Sequence, residues 1–258
     1  MTQEVILYEL AAADETRFSP FCWRVRFSLR HKGVSFKSAP TGFTDIGELG
    51  GAHRTVPLVR IDDTMVEDSW GIAEYLDERF PDRPPLFGCP LGKGAARFIE
   101  CFTDKVIHPT VLRLAPRDAF DRMAPHDRAY FRQTREKMLG CTLEEAQATR
   151  EQTVLAFRKT LHPIRLVLNK QPWLGGEAPG YADYIVLAAF QWARLITDFQ
   201  ILESDDPIAK WFQRGLDLHD GFGRNVRPDD GGPGFADIDL QKEDLRQGRS
   251  RDPSLIRN

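Results

Sequence analysis

Ser19-Pro20-Phe21-Cys22-Trp23-Arg24-Val25-Arg26-Phe27-Ser28-Leu29-Arg30-His31-Lys32-Gly33 is the stretch on which the fold turns. Serine favours the N-cap of a helix, proline its first position and glycine the stop after its last turn, so the pattern predicts a helix between Ser19 and Gly33. The apolar run Val5-Ile6-Leu7-Tyr8 precedes it and reads as a short buried strand. A strand, a loop and a helix opening Ser-Pro-Phe-Cys put one hydroxyl at a helix N-terminus. Partial positive charge and unpaired N–H groups gather there, and a sulfur anion beside them is stabilised. An ordinary capped helix opens with Ser-Pro as well, so the functional reading needs support from further along the chain.

At 258 residues the chain is long for one domain, and two domains around a shared core are expected. Apolar residues make up 41% and charged residues 28%, the balance of a soluble globular protein. A net charge of −3 gives no general attraction to nucleic acid or to an anionic membrane. No apolar run approaches the ~18 residues of a membrane helix, and no signal-peptide pattern opens the chain. Cys22, Cys89, Cys101 and Cys141 lack the spacing of a zinc site or a disulfide framework, which points to reduced cysteines in the cytoplasm.

The first ~85 residues alternate strand and helix signals. A second strand is expected over Val34–Pro40, an irregular or weakly helical stretch over 41–55, a third strand over Val56–Ile61 and a short fourth at Met65-Val66. A helix follows from about Ser69 to Phe80, with Ile72, Leu76 and Phe80 on one face and Pro81 ending it. Residues 81–92 hold four prolines and two glycines and read as a linker. Beyond it helical signals dominate. Val154, Phe157, Leu161, Ile164 and Leu168 line one helix face, which Pro163 kinks or divides. Asp183–Arg194 is apolar nearly all round and should be a central buried helix, opened by Gly180 with Asp183 three residues on. From Arg227 the composition turns polar, which predicts a mobile tail.

With these elements in view the chain resembles the glutathione transferases. That resemblance implies an α/β plus all-α architecture: a thioredoxin-like N-terminal domain (1–82), a linker (83–92) and an all-helical C-terminal domain (93–226), followed by the polar tail 227–258. Ser19-Pro20, Val56-Pro57 and Asp68-Ser69 match in order, and the Ala182-Asp183 helix start matches in the second domain. Within the superfamily the likeness is greatest to the bacterial β-etherases and their fungal relatives. It is carried by Ser19–Arg24, Gly42-Phe43-Thr44, Asp68–Pro84, Trp173–Gly176 and Arg214–Arg224. Thioredoxin-like redox proteins place Cys-x-x-Cys where this chain has Ser19-Pro20-Phe21-Cys22, so the chain looks built to hold another molecule's thiol.

The resemblance implies a cis Val56-Pro57 bond that turns the Val56 backbone toward the cysteinyl unit of glutathione like an added strand. It gives Ser69 and the helix start to the γ-glutamyl carboxylate and Asp68 to the γ-glutamyl ammonium, and it adds Arg54 to the glutathione-binding set. Without the flanking motifs, Val56-Pro57 reads as a proline at an edge strand and Asp68-Ser69 as a plain cap. Ser19 becomes the catalytic candidate, and magnitudes define its task. A thiol of pKa ~8.5 must drop roughly two units, about 2.7 kcal/mol, to ionise mostly at pH 7. A helix N-terminus supplies ~0.3–1 kcal/mol and a hydrogen bond to a charged group about 1.5–3. The two together suffice, so Ser19 is read as a thiolate-stabilising donor, with no general base.

For the second substrate, Phe18, Phe102, His108 and Leu112 are candidates for an apolar cleft between the domains, while Trp192 reads as core with cleft lining as the alternative. Serine at position 19 cannot form a mixed disulfide, which weighs against a glutaredoxin-like activity. Gly88–Gly94 is too short for a phosphate loop, there is no Gly-x-Ser-x-Gly elbow, and the six histidines lack metal-ligand spacing. The resulting expectation is a cytoplasmic, homodimeric glutathione transferase with glutathione as co-substrate and no metal. Its partner would be a hydrophobic, aromatic electrophile, with β-aryl ether cleavage as one reaction. A non-catalytic glutathione or apolar-ligand binder is the contrasting reading.

Overall fold

A computed structural model describes residues 4–49 and 53–225. Four strands form one sheet in the order β2-β1-β3-β4: β1 (Val5–Leu10), β2 (Lys37–Thr41), β3 (Leu58–Ile61) and β4 (Thr64–Glu67). β1 pairs in parallel with β2 and antiparallel with β3, and β3 pairs antiparallel with β4. All six residues of β1 are buried, as its continuous apolar run requires at the centre of a sheet covered on both faces.

Helix α1 (Pro20–His31) returns the chain across the sheet, and α2 (Ser69–Arg79) closes the unit. Gly33 ends α1 at φ +60, a conformation that glycine adopts without the Cβ penalty. In the stretch expected to be irregular or weakly helical, 41–55, the described residues hold the end of β2 at Thr41 and a 3-10 turn, Ile46–Leu49. The thioredoxin-like domain is thus present, with the second strand three residues later than its alternation suggests.

The remaining helices are α3 (Pro90–Phe102), α4 (His108–Leu114), α5 (Pro116–Arg122), α6 (Arg128–Leu139), α7 (Leu143–Ala148), α8 (Arg150–Thr160), α9 (His162–Leu168), α10 (Tyr181–Ile196) and α11 (Pro207–Gly221). α3 starts at Pro90, so three residues of the expected linker form its first turn: Cys89 caps it, accepting from Gly92 N, and proline fits the first position. The chain divides at Pro163 as its ring and missing N–H demand, giving α8 and α9. A π turn, Thr103–Ile107, joins α3 to α4. The tail at 227–258 lies outside the described residues.

α10 is the pillar of the helical domain and packs along α1. Its buried Asp183 accepts from the N–H groups of Leu174, Gly175 and Gly180 at 2.7, 2.9 and 3.2 Å and from Trp211 Nε1 at 3.1 Å. Burial pushes its carboxyl upward although these donors oppose the shift. α1 also buries charges. Arg26 donates to Glu9 at 2.5 Å, Lys32 meets Asp77 at 2.6 Å, and Arg24 donates to Asp104 at 2.5 Å and to Glu100 at 3.5 Å. Arg24 thereby ties the thioredoxin-like domain to the helical one. Asp127 does the same for the Gly42–Thr44 loop, accepting from the N–H groups of Phe43 and Thr44, each at 3.0 Å.

Candidate active site

Strand register brings three chain segments to one end of the sheet. Tyr8, near the end of β1, pairs with Leu58, the first residue of β3, and Leu58 pairs with Glu67, the last residue of β4. The loop leading from β1 to Ser19, the Val56-Pro57 pair before β3 and Asp68-Ser69 after β4 therefore leave the sheet on the same side. Three neighbouring strands span about 10 Å. An extended tripeptide is about as long.

Ser19 caps α1. Its φ and ψ of −62 and 126 are non-helical, and its Oγ accepts from Cys22 N at 3.4 Å. The hydroxyl thus spends a lone pair on the helix and keeps its own hydrogen for another partner, at the end where the α1 dipole is positive. The residue is 2% exposed, so an anion reaching it leaves water. Cys22 is fully buried, and burial, with Glu9 nearby, pushes its thiol up to about 12. It stays protonated and packed in the core, unsuited to disulfide exchange.

The Val56-Pro57 bond is cis. Regular pairing of β3 begins only at Leu58, so Val56 lies beyond the ladder with its peptide groups at the sheet end. Asp68 is exposed at φ +68, a conformation rare for a non-glycine residue and typical of functional turns. Its carboxylate accepts from Gly71 N at 3.0 Å and caps α2. Ser69 follows at 2% exposure, and its carbonyl accepts from the Tyr181 hydroxyl of α10 at 2.7 Å. Arg54 is exposed; its neighbour His53 sits 3.0 Å from Glu67, which fastens this loop beside Asp68.

The cleft candidates divide. His108 and Leu112 share one face of α4 and are 8% and 5% exposed. His108 packs edge-on to Phe21, the second residue of α1, at 5.1 Å and against Trp192 at 5.8 Å. Trp192 is thus in the wall between the domains as well as in the packing. Phe18 is buried against Phe43 at 6.3 Å, which gives it to the 42–44 loop, and Phe102 is partly buried at the end of α3. Phe21, Arg24 and Tyr181 escaped the sequence reading. Arg24 and Tyr181 take their meaning from partners 76 and 112 residues away, whereas Phe21 stood inside the quoted helix opening and was legible there. A cavity of about 1060 Å³ lies elsewhere, between α5, α8 and the turn after α10, and shares no residue with this site.

Sequence comparison agrees with this geometry. Residues 15–84 match the glutathione S-transferase N-terminal domain family, and residues 95–215 match the glutathione S-transferase C-terminal domain family. Glutathione S-transferase U7 of Arabidopsis thaliana is 26% identical over 178 residues, covering 67% of this chain and 66% of that protein. The crystal structure of glutathione transferase GSTFuA3 from Phanerochaete chrysosporium superposes with a TM-score of 0.67 at 26% identity, covering 84% of this chain and 92% of that one. A glutathione S-transferase of Ceriporiopsis subvermispora, CsGST63524, solved in complex with glutathione, shares the fold at a TM-score of 0.65 and 21% identity, over 84% and 92% of the two chains. The chain belongs to the glutathione S-transferase superfamily.

Proposed function

We propose that the protein is a glutathione transferase that ionises the glutathione thiol at Ser19 and directs it at an aromatic electrophile held between the domains. What supports this is the strand register, by which the loop leading to Ser19, the Val56-Pro57 pair and Asp68-Ser69 all leave the sheet at the same end. Val56 pairs with the cysteinyl backbone, Ser69 and the first turn of α2 receive the γ-glutamyl carboxylate, and Asp68 meets its ammonium; Arg54 completes the set. The Ser19 hydroxyl and the α1 N-terminus together hold the thiolate.

The finer reading is an etherase-like displacement. The thiolate attacks a carbon next to a ketone, the new C–S bond forms as the C–O bond breaks, and a phenolate leaves with the electron pair. A phenolate is a tolerable leaving group because phenols ionise near pH ~10. Support comes from the sequence likeness in Gly42-Phe43-Thr44, which Asp127 holds against the helical domain, and from the fungal transferase of similar fold. A homodimer belongs to the same proposal, with the exposed Leu91 and Phe98, seven residues apart on α3, as its apolar contact. A glutathione-dependent screen of β-aryl ether ketones beside generic aryl halides tests the reading. Conjugation above the uncatalysed rate supports a transferase, and phenol release specifies the etherase. Glutathione binding with no turnover of any electrophile would mark a binding protein instead.

A further inference from the structure

Two polar atoms on the segment that joins α3 to α4 are buried with no hydrogen-bond partner among the described residues, Thr103 Oγ1 and His108 Nε2. Thr103 opens the π turn Thr103–Ile107 and His108 follows it; the His108 N–H reaches back to the Thr103 carbonyl, so the two residues lie one π turn apart. Pro109 has no N–H to give the Lys105 carbonyl, a local reason for the helix to loosen here. Turns of this kind recur at functional sites.

The chemistry of the two atoms is defined by their surroundings. His108 Nδ1 lies 3.3 Å from Asp104 Oδ1. A carboxylate only accepts, so the ring proton belongs on Nδ1 and Nε2 presents a lone pair. Burial, with Arg24 close by, holds the imidazole well below its usual range and keeps it neutral. Around it stand apolar walls. Phe21 and Trp192 pack edge-on to the ring, and Leu112, one turn further on the same face, is buried yet separate from the continuous core. Phe21 is 38% exposed and stands two residues from Ser19, which makes it the wall on the thiol side. One acceptor and one hydroxyl among aromatic side chains is the composition of a selective small-molecule site.

We propose that His108 Nε2 and Thr103 Oγ1 read a hydroxyl group on the aromatic electrophile. The hydroxyl donates to Nε2 and accepts from the Thr103 O–H. This rests on the transferase reading and narrows its substrate class to hydroxylated aromatics. An ether or carbonyl oxygen in the same place leaves the Nε2 lone pair unmatched, so methylating the hydroxyl removes the recognition.

Calorimetric titration of 2-naphthol and 2-methoxynaphthalene into the glutathione-saturated protein tests this. Neither compound is an electrophile, so binding is read apart from turnover. In the wild type 2-naphthol binds tighter by roughly tenfold, the scale of one buried hydrogen bond. His108→Phe brings the ratio near one, and His108→Gln, whose amide oxygen restores an acceptor, keeps the preference. Thr103→Val, which keeps the shape and removes the hydroxyl, lowers the ratio and serves if His108→Phe does not fold. Equal affinities in the wild type, or an unchanged ratio in His108→Phe and Thr103→Val, overturn the proposal. Absence of turnover with every electrophile overturns the transferase reading instead, while the ratio still decides this one.

Discussion

The Tyr181 hydroxyl donates to the Ser69 carbonyl at 2.7 Å, so the central helix of the second domain fixes the first turn of the helix proposed to receive glutathione. Both residues are buried, and burial raises the Tyr181 phenol, which stays protonated and keeps donating. Tyr181→Phe removes this bond while the Ser69 carbonyl keeps its intrahelical donor, Ala73 N–H, at a cost of about 0.5–1.5 kcal/mol. The expected outcome is a matching loss in urea-unfolding stability together with a higher glutathione Kd. Lower stability with an unchanged Kd would mean that α2 holds its position without this bond.

Asp68 has two tasks that one pair of variants separates. Asp68→Ala loses the cap on Gly71 N and the charge, so stability falls by about 1 kcal/mol and glutathione binding weakens. Asp68→Asn keeps the cap and loses the charge. Its stability should stay near wild type while glutathione affinity drops by roughly 10–150-fold, the scale of a hydrogen bond between charged groups. Ser69→Ala should weaken affinity on the same scale. Calorimetry showing unchanged affinity in Asp68→Asn and Ser69→Ala would move the γ-glutamyl end elsewhere.

Much of the fold was legible because its signals are local. Ser19, Pro20 and Gly33 bound α1, Pro163 divides α8 from α9, and Gly180 with Asp183 opens α10. The positions of Val56-Pro57 and Asp68-Ser69 came from their resemblance to known motifs, and the register that brings them to the end of the sheet from which the loop to Ser19 leaves appears only in the folded sheet. Charge burial on α1 was not legible. Nothing local to Arg24 and Arg26 announces Glu9, Glu100 and Asp104, which come from other elements. Phe18 stands next to Ser19 in sequence, but its side chain belongs to Phe43. The Pro90 start of α3 was hidden by composition, since proline marks both linkers and first helical turns.

Arg24 should behave as a structural cation. Arg24→Met takes the cation from the part-exposed Asp104 and from Glu100, which keeps Arg97 at 2.5 Å, and the expected loss is about 1.5–3 kcal/mol in chemical denaturation. Neutralising the acids in the triple variant Arg24→Met/Glu100→Gln/Asp104→Asn should recover most of it. A triple variant as unstable as the single one would show that packing, not charge, is what Arg24 contributes.

Acid should loosen the join between the domains. His31 Nε2 lies 3.2 Å from the Pro85 carbonyl, which only accepts, so His31 Nδ1 accepts from Tyr184 at 2.8 Å. The Tyr184 oxygen then accepts from His219 Nε2 at 3.4 Å. Burial depresses both imidazoles, His219 to about 4 with His31 and Arg30 adding repulsion; Lys32 also opposes protonation of His31, while Asp77 and Asp220 favour the charged rings. A histidine depressed in the folded state binds fewer protons there than when unfolded. Its stabilisation is therefore present above pH ~6.5 and is lost as pH falls toward about 4. Discounted for its partial exposure, His219 accounts for on the order of 1–2 kcal/mol. Melting curves between pH 7 and 4 should show a shallower decline in His219→Gln than in wild type. Parallel declines would exclude this histidine as the source.

Ser19 is the centre of the account, and the pH–rate profile of Ser19→Ala with saturating glutathione and an aryl halide tests it most directly. Removing the hydroxyl should raise the pKa of the bound thiol by about 1–2 units, the equivalent of the lost charged hydrogen bond. Turnover at pH 7 should then fall by roughly 10–100-fold, with glutathione affinity changed much less and the deficit shrinking as pH rises and the thiol ionises unaided. A Ser19→Ala profile that superposes on wild type would contradict the account and assign activation of the sulfur to another group.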